Sequence, residues 1–151
     1  KIKGIGEAKA VAITAALELG RRRHTSDSLN RKTIRNSREI AEFLRTTLKD
    51  FNYEVFAVLF LNQANRIKHF EIISRGGITG TVADPRIILK KAVEEGATSI
   101  VLSHNHPSGN LKPSRADEEL TQKIKQAASF FDIRVLDHVI FSDEGYYSFA
   151  H

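Results

Sequence analysis

The 151-residue chain contains no cysteine, no methionine and no tryptophan. Without cysteine it has no disulfide framework, no thiol nucleophile, no thiolate zinc site and no CxxC redox pair. A zinc nucleobase deaminase is excluded on the same ground, because its PCxxC ligands cannot be built. No apolar run approaches the 18 residues of a membrane span. No signal-peptide pattern opens the chain either, since residues 1–9 carry three lysines among scattered apolar positions. These absences predict a soluble, cytoplasmic protein with no membrane partner. A domain of this length buries about 68–70% of its unfolded surface and needs no metal merely to fold, so a metal here would serve chemistry. The missing initiator methionine and the mid-pattern opening at Lys1 read as a piece of a longer chain.

The net charge of +5 is unevenly placed. Residues 1–50 hold 12 Lys/Arg against 6 Asp/Glu, whereas residues 51–151 hold 11 against 12. A concentrated basic segment, with Arg21, Arg22 and Arg23 in a row, is the electrostatic footprint of a protein that meets nucleic acid. A solvated helix end accounts for it equally well.

Apolar residues recur at helical spacing through Ala8, Val11, Ala12, Ala15, Ala16 and Leu19, and Gly20 stops that helix. A polar, unpatterned stretch follows. A second helix is predicted from Ser37 or Arg38 to Leu48, with Asn36 or Ser37 as cap and Ile40, Phe43, Leu44 and Leu48 inward. Residues 55–61 are continuously apolar and β-rich, a central strand buried on both faces. Residues 66–74 return as a second strand, and Gly76 and Gly77 break it. Pro85 opens a helix that Gly96 ends. Strands at 98–103, 133–141 and 146–149 and a helix from Ser114 to about Phe130 complete the pattern. Strands mixed with helices, without strict βαβ alternation, give a mixed α/β or α+β sandwich.

The chemistry concentrates in residues 103–117, SHNHPSGNLKPSRAD. His104 and His106 are two apart at a strand end, so both imidazoles point to one side. Gly109, Pro107 and Pro113 fold the loop back, which brings Asp117 in the next helix toward the pair. Two neutral imidazoles and a carboxylate suit one Zn2+ with a fourth position open, the mark of a catalytic site. A plainer reading stands beside this one. Ser114 through Asp117 forms a capping box, and the histidines are polar residues closing a strand.

The spacing of His104, His106, Ser114 and Asp117 resembles the JAMM motif of the MPN-type metalloproteases, and HNHPSGNLKPSRAD looks like the version in bacterial RadC proteins. GIGEAKA, LELGRR, ADPRIILKKA, LDHVIF and YYSF agree with that resemblance, which covers nearly the whole chain. It implies a mixed β-sheet sandwiched by helices over residues 33–151, behind a linker at 24–32. It further implies zinc bound by His104, His106 and Asp117, Ser114 assisting an oxyanion, and Glu54 as the general base toward the attacking water. Glu71 competes with Glu54, but it lies in an alternating strand with Lys68 and His69, which suggests a wet face, while Glu54 borders the apolar run.

Residues 1–23 look like the second half of a helix-hairpin-helix, whose glycine-rich turn presents backbone N–H groups to a DNA phosphate. Gly4, Gly6 and Lys9 are its candidate contacts, and a simple helix-entry turn is the alternative. The segment is not a dinucleotide fingerprint, because no strand precedes it and Lys9 stands at the third glycine position. His138, in LDHVIF, reads first as a hydrogen-bonded structural histidine, with a supporting partner of the metal ligands as the alternative. His24, His69 and His151 lack companions at ligand spacing. One departure from the RadC pattern is Asp84, where histidine is commoner.

Two functions follow. One is a zinc-dependent hydrolase of JAMM type, a metallopeptidase acting on a peptide or isopeptide bond in a protein substrate. The other is a non-catalytic accessory protein of DNA repair that uses the metal fold as a platform. They are compatible if the N-terminal module targets an enzyme to DNA.

Overall fold

A computed structural model of the chain describes residues 32–76 and 83–150. The helix expected over residues 7–19, with Gly4, Gly6 and Lys9, lies outside the described residues, as do Gly77 and His151. Within them the order is α1 (Ser37–Leu48), β1 (Val55–Leu61), β2 (Ile67–Arg75), α2 (Pro85–Glu94), β3 (Ser99–Asn105), α3 (Arg115–Ser129), β4 (Arg134–Ser142) and β5 (Gly145–Ser148).

The five strands form one mixed sheet in the order β2-β1-β3-β4-β5. β1 is antiparallel to both β2 and β3, β3 and β4 are parallel, and β5 returns antiparallel on β4. The parallel pair needs a crossover, which α3 supplies. β1 is fully buried, as a strand covered on both faces must be. The middle of the sheet, however, belongs to β3.

Alternation along the strands divides the core into two layers. Val55, Ala57, Leu59 and Leu61 face α1, where they meet Ile40, Phe43, Leu44 and Leu48. Phe56, Val58 and Phe60 face the other way with Ile100 and Leu102, and pack against Ile88 and Ala92 of α2 and Ile124 and Ala128 of α3. The caps follow ordinary chemistry. Asn36 accepts from the Glu39 amide at the start of α1, and Asp84 accepts from the Arg86 amide at the start of α2, with Pro85 in the first turn. Gly96 ends α2 at φ 63°, a left-handed conformation that glycine adopts without strain.

β3 runs two residues further than its apolar pattern suggests, through His104 and Asn105, because β4 supplies partners for both (His104 opposite Ile140, Asn105 opposite Phe141). Backbone pairing here overrides the polar side chains. Among the described residues no helix is long and apolar enough to cross a membrane.

Candidate metal centre

The site is assembled at the C-terminal end of β3. Ile100, Leu102 and His104 share the face toward α2 and α3, so His104 ends an apolar row and is buried at 3% exposure. Its ring stacks on Phe56, the residue opposite it on β1, at 6.0 Å between centroids and 12° between planes. The His106 amide donates to the Phe141 carbonyl at 2.8 Å, which carries the β3–β4 pairing one residue past the strand. His106 is thereby held on extended backbone beside His104.

The chain then turns. The Gly109 amide donates to the His106 carbonyl at 3.0 Å, and Gly109 has φ 89°. His106 Nδ1 is hydrogen-bonded to the Asn110 carbonyl. A carbonyl only accepts, so Nδ1 carries a proton, and in the neutral ring Nε2 is the nitrogen that presents a lone pair.

At the start of α3 the plain and the functional readings are one arrangement. Ser114 Oγ accepts from the Asp117 amide at 3.1 Å, and Asp117 Oδ2 accepts from the Ser114 amide at 2.8 Å, a complete capping box. That box occupies Oδ2 and leaves Oδ1 facing His104 Nε2 at 3.6 Å. The cap therefore aims the carboxylate. Partial burial works against the Asp117 charge, but the Ser114 amide bonded to Oδ2 and the nearby His104 ring outweigh it and hold its pKa well below the usual carboxylate range.

His104 Nε2, His106 Nε2 and Asp117 Oδ1 thus converge. The two nitrogens are 2.9 Å apart, and one ligand atom from each of the three residues lies within 4.8 Å of the others. Tetrahedral zinc, with bonds of about 2.0–2.1 Å, sets its ligand atoms about 3.3 Å apart. The observed 2.9 and 3.6 Å straddle that spacing. The donor set and its dimensions fit a zinc-sized ion.

Glu54 is not one of the three. It precedes β1, and extension of the β1–β3 register beyond Phe56 and His104 sets it opposite His106. Its backbone is tightly held. The Glu54 carbonyl accepts from the Gly76 amide at 2.6 Å, while Asn105 Nδ2 donates to the Tyr53 carbonyl at 3.0 Å and Asn105 Oδ1 accepts from the Val55 amide at 2.7 Å. Sequence reasoning missed Asn105, which clamps the residues on either side of Glu54. Glu71 is engaged elsewhere, within 3.4 Å of Lys91 Nζ on α2 and 3.3 Å of His69 Nε2.

His138 joins the two readings the sequence offers for it, a buried hydrogen-bonded histidine and a partner of the trio. It is fully buried on β4, and its Nε2 lies 2.8 Å from His104 Nδ1, so it touches a member of the trio directly. Its Nδ1 lies 2.6 Å from Thr121 Oγ1, and Thr121 Oγ1 donates to the Asp117 carbonyl at 2.7 Å. Burial, reinforced by nearby His104, lowers the His138 pKa to about 3, so the ring is neutral at ordinary pH.

The family model for the RadC-like JAB domain matches residues 34–151, the span that carries this sheet and all three converging side chains. The chain belongs to the RadC family. Its relatives include the UPF0758 protein of Flavobacterium johnsoniae, 48% identical over 150 residues, which are 99% of this chain and 66% of that protein. The UPF0758 protein of Porphyromonas gingivalis is 44% identical over 149 residues, 98% of this chain and 66% of its own length. That of Streptococcus sanguinis is 41% identical over 148 residues, 98% and 65%. This RadC chain therefore spans about two thirds of the length of these relatives. The JAB-like domain is a metalloprotease-type fold, and this RadC member carries a His-His-Asp group that could hold a metal ion.

Proposed function

We propose that this RadC chain carries the catalytic domain of a zinc-dependent hydrolase, a metallopeptidase that cleaves a peptide or isopeptide bond. The observation that carries the reading is the convergence of His104 Nε2, His106 Nε2 and Asp117 Oδ1 on one point at zinc-like spacing. Bound there, zinc supplies Lewis acidity, which polarises a carbonyl and acidifies water at neutral pH. Glu54, held opposite His106 by the Asn105 clamp, takes the proton of the attacking water and returns it to the leaving amine. The exposed Ser114 hydroxyl keeps its own proton while its oxygen accepts from the Asp117 amide, so it has a hydrogen to offer a developing oxyanion. A cleft of about 330 Å3 adjoins His106 and is lined by Arg45, Lys49, Asp143 and Glu144 among others.

The basic surplus in residues 1–50 supports a second role, in which the longer chain is brought to DNA through its N-terminal module. The test of the first reading joins metal analysis to a peptide-library screen on the zinc-loaded chain. One zinc per chain and cleavage lost on chelation support it, whereas no bound zinc, or a zinc-loaded chain inert toward every peptide and isopeptide substrate, counts against it. For the second, duplex binding by a full-length relative should weaken steeply as salt rises. Salt-insensitive binding, or none, removes it.

A further inference from the structure

His138 and Thr121 form a chain of contacts that has one consistent direction. It begins at the Asp117 carbonyl, which can only accept, so the Thr121 hydroxyl proton points there. Thr121 Oγ1 must then accept from its other neighbour, His138 Nδ1, which carries a proton. His138 is fully buried between aromatic rings, stacked on Phe149 at 4.5 Å and 9° and edge-on to Phe56 at 5.7 Å, and among the described residues its ring nitrogens bond to His104 and Thr121 and to no carboxylate. A charged imidazolium is costly in such surroundings, so the ring holds one proton only. Its Nε2 is accordingly an acceptor, and His104 Nδ1 donates to it at 2.8 Å. In the neutral His104 ring this leaves Nε2 as the acceptor nitrogen, 2.9 Å from Nε2 of His106. The opposite direction would leave the Thr121 oxygen and the Asp117 carbonyl 2.7 Å apart with no proton between them.

We propose that His138 and Thr121 are positioning residues of the metal centre, a buried relay that fixes the His104 ring and its Nδ1–H tautomer by anchoring both to the backbone of Asp117. The relay closes on itself, leaving from the main chain of Asp117 and returning through His104 to within 3.6 Å of the same residue's carboxylate. Two ligands on different elements are thereby set by one residue on a third. The surroundings are built to hold that residue still. Asp137 accepts from the His138 amide, the Ser148 hydroxyl and the Ala150 amide, and so ties down the end of β5 that lays Phe149 over the His138 ring.

The proposal rests on the zinc reading above, and the two are tested separately. In the metal-free 151-residue chain, long-range 15N–1H NMR of the histidine rings should find the proton on Nδ1 in both His104 and His138, with no metal involved. A proton on Nε2 of His138 overturns the relay even if zinc binds tightly. Zinc titration against a chromophoric chelator then reads its effect. His138→Phe and the isosteric Thr121→Val should each weaken zinc binding about 10- to 100-fold, the usual cost of losing such a partner. Thr121→Ser, which keeps the hydroxyl, should stay within about threefold of the parent, and a generic packing defect would not be rescued in this way. If His138→Phe fails to fold, Thr121→Val decides alone. Variants that bind zinc as tightly as the parent overturn the proposal. A parent that binds no zinc but shows both Nδ1–H tautomers sinks the metal reading and leaves the relay standing.

Discussion

The Nε2 atoms of His104 and His106 face each other across 2.9 Å, and hydrogen bonds at the far side of each ring assign the ring proton to Nδ1. Two lone pairs at that distance repel unless a cation stands between them. At 2.9 Å one proton between the two nitrogens or one cation held by both satisfies the pair, and a bound zinc ion should stabilise it.

Zinc should raise the unfolding free energy by about 2.7 kcal/mol when free zinc is 100 times its Kd. Thermal unfolding with zinc and with chelator measures this. His106→Ala and Asp117→Asn should abolish the shift, and an equal shift in those variants would place the stabilising ion elsewhere.

Glu54→Gln should separate from the ligand variants. It should keep one zinc per chain and the parent's unfolding midpoint while lowering hydrolysis about 10^2- to 10^4-fold, the usual contribution of a positioned general base. Loss of zinc in Glu54→Gln would make Glu54 a ligand, and unchanged hydrolysis would remove it from the mechanism.

Acid should destabilise the metal-free chain in two separate windows. The His138 pKa falls from 6.5 to about 3 on folding. Between those values the unfolded chain takes up a proton that the folded one refuses, so stability declines as pH falls from 6.5, by at most about 1.4 kcal/mol per unit. The Asp117 pKa is also lowered, from 3.8, so its contribution is lost only below the ordinary carboxylate range. Denaturant midpoints in chelator at pH 7 and pH 4.5 isolate the first window. His138→Gln should flatten the difference, and an undiminished slope would contradict the burial of a neutral ring.

Much of this architecture is legible in the sequence wherever it is local. Ile40, Phe43, Leu44 and Leu48 announce α1 by spacing, Asn36 announces its start, and residues 55–61 announce a buried strand. The trio is legible because His104, His106 and Asp117 lie within 14 residues and backbone geometry alone turns them together. What escapes is set by strand register. Asn105 reaches Tyr53 and Val55 across about 50 residues, and His138 meets His104 across 34, because β1 and β4 both flank β3. No periodicity within one strand encodes which residue of another will lie beside it.

Gly109 is one place where a small change should test the loop that aims His106. Its φ of 89° is strained for any other residue, although a Cβ there would meet nothing nearer than Glu144 at 3.9 Å. Gly109→Ala should thus cost about 1–3 kcal/mol through backbone strain alone. Chemical denaturation reads the cost, and a neutral result would show that the loop relaxes freely.

The most direct measurement is anomalous scattering at the zinc edge from crystals of the zinc-loaded chain. One peak is expected, about 2.0–2.1 Å from Nε2 of both His104 and His106 and about 2.0–2.2 Å from Asp117 Oδ1, with His138 not coordinated. A peak bound through Nδ1 of either ligand histidine, a peak away from these three residues, or no peak at saturating zinc would contradict the account.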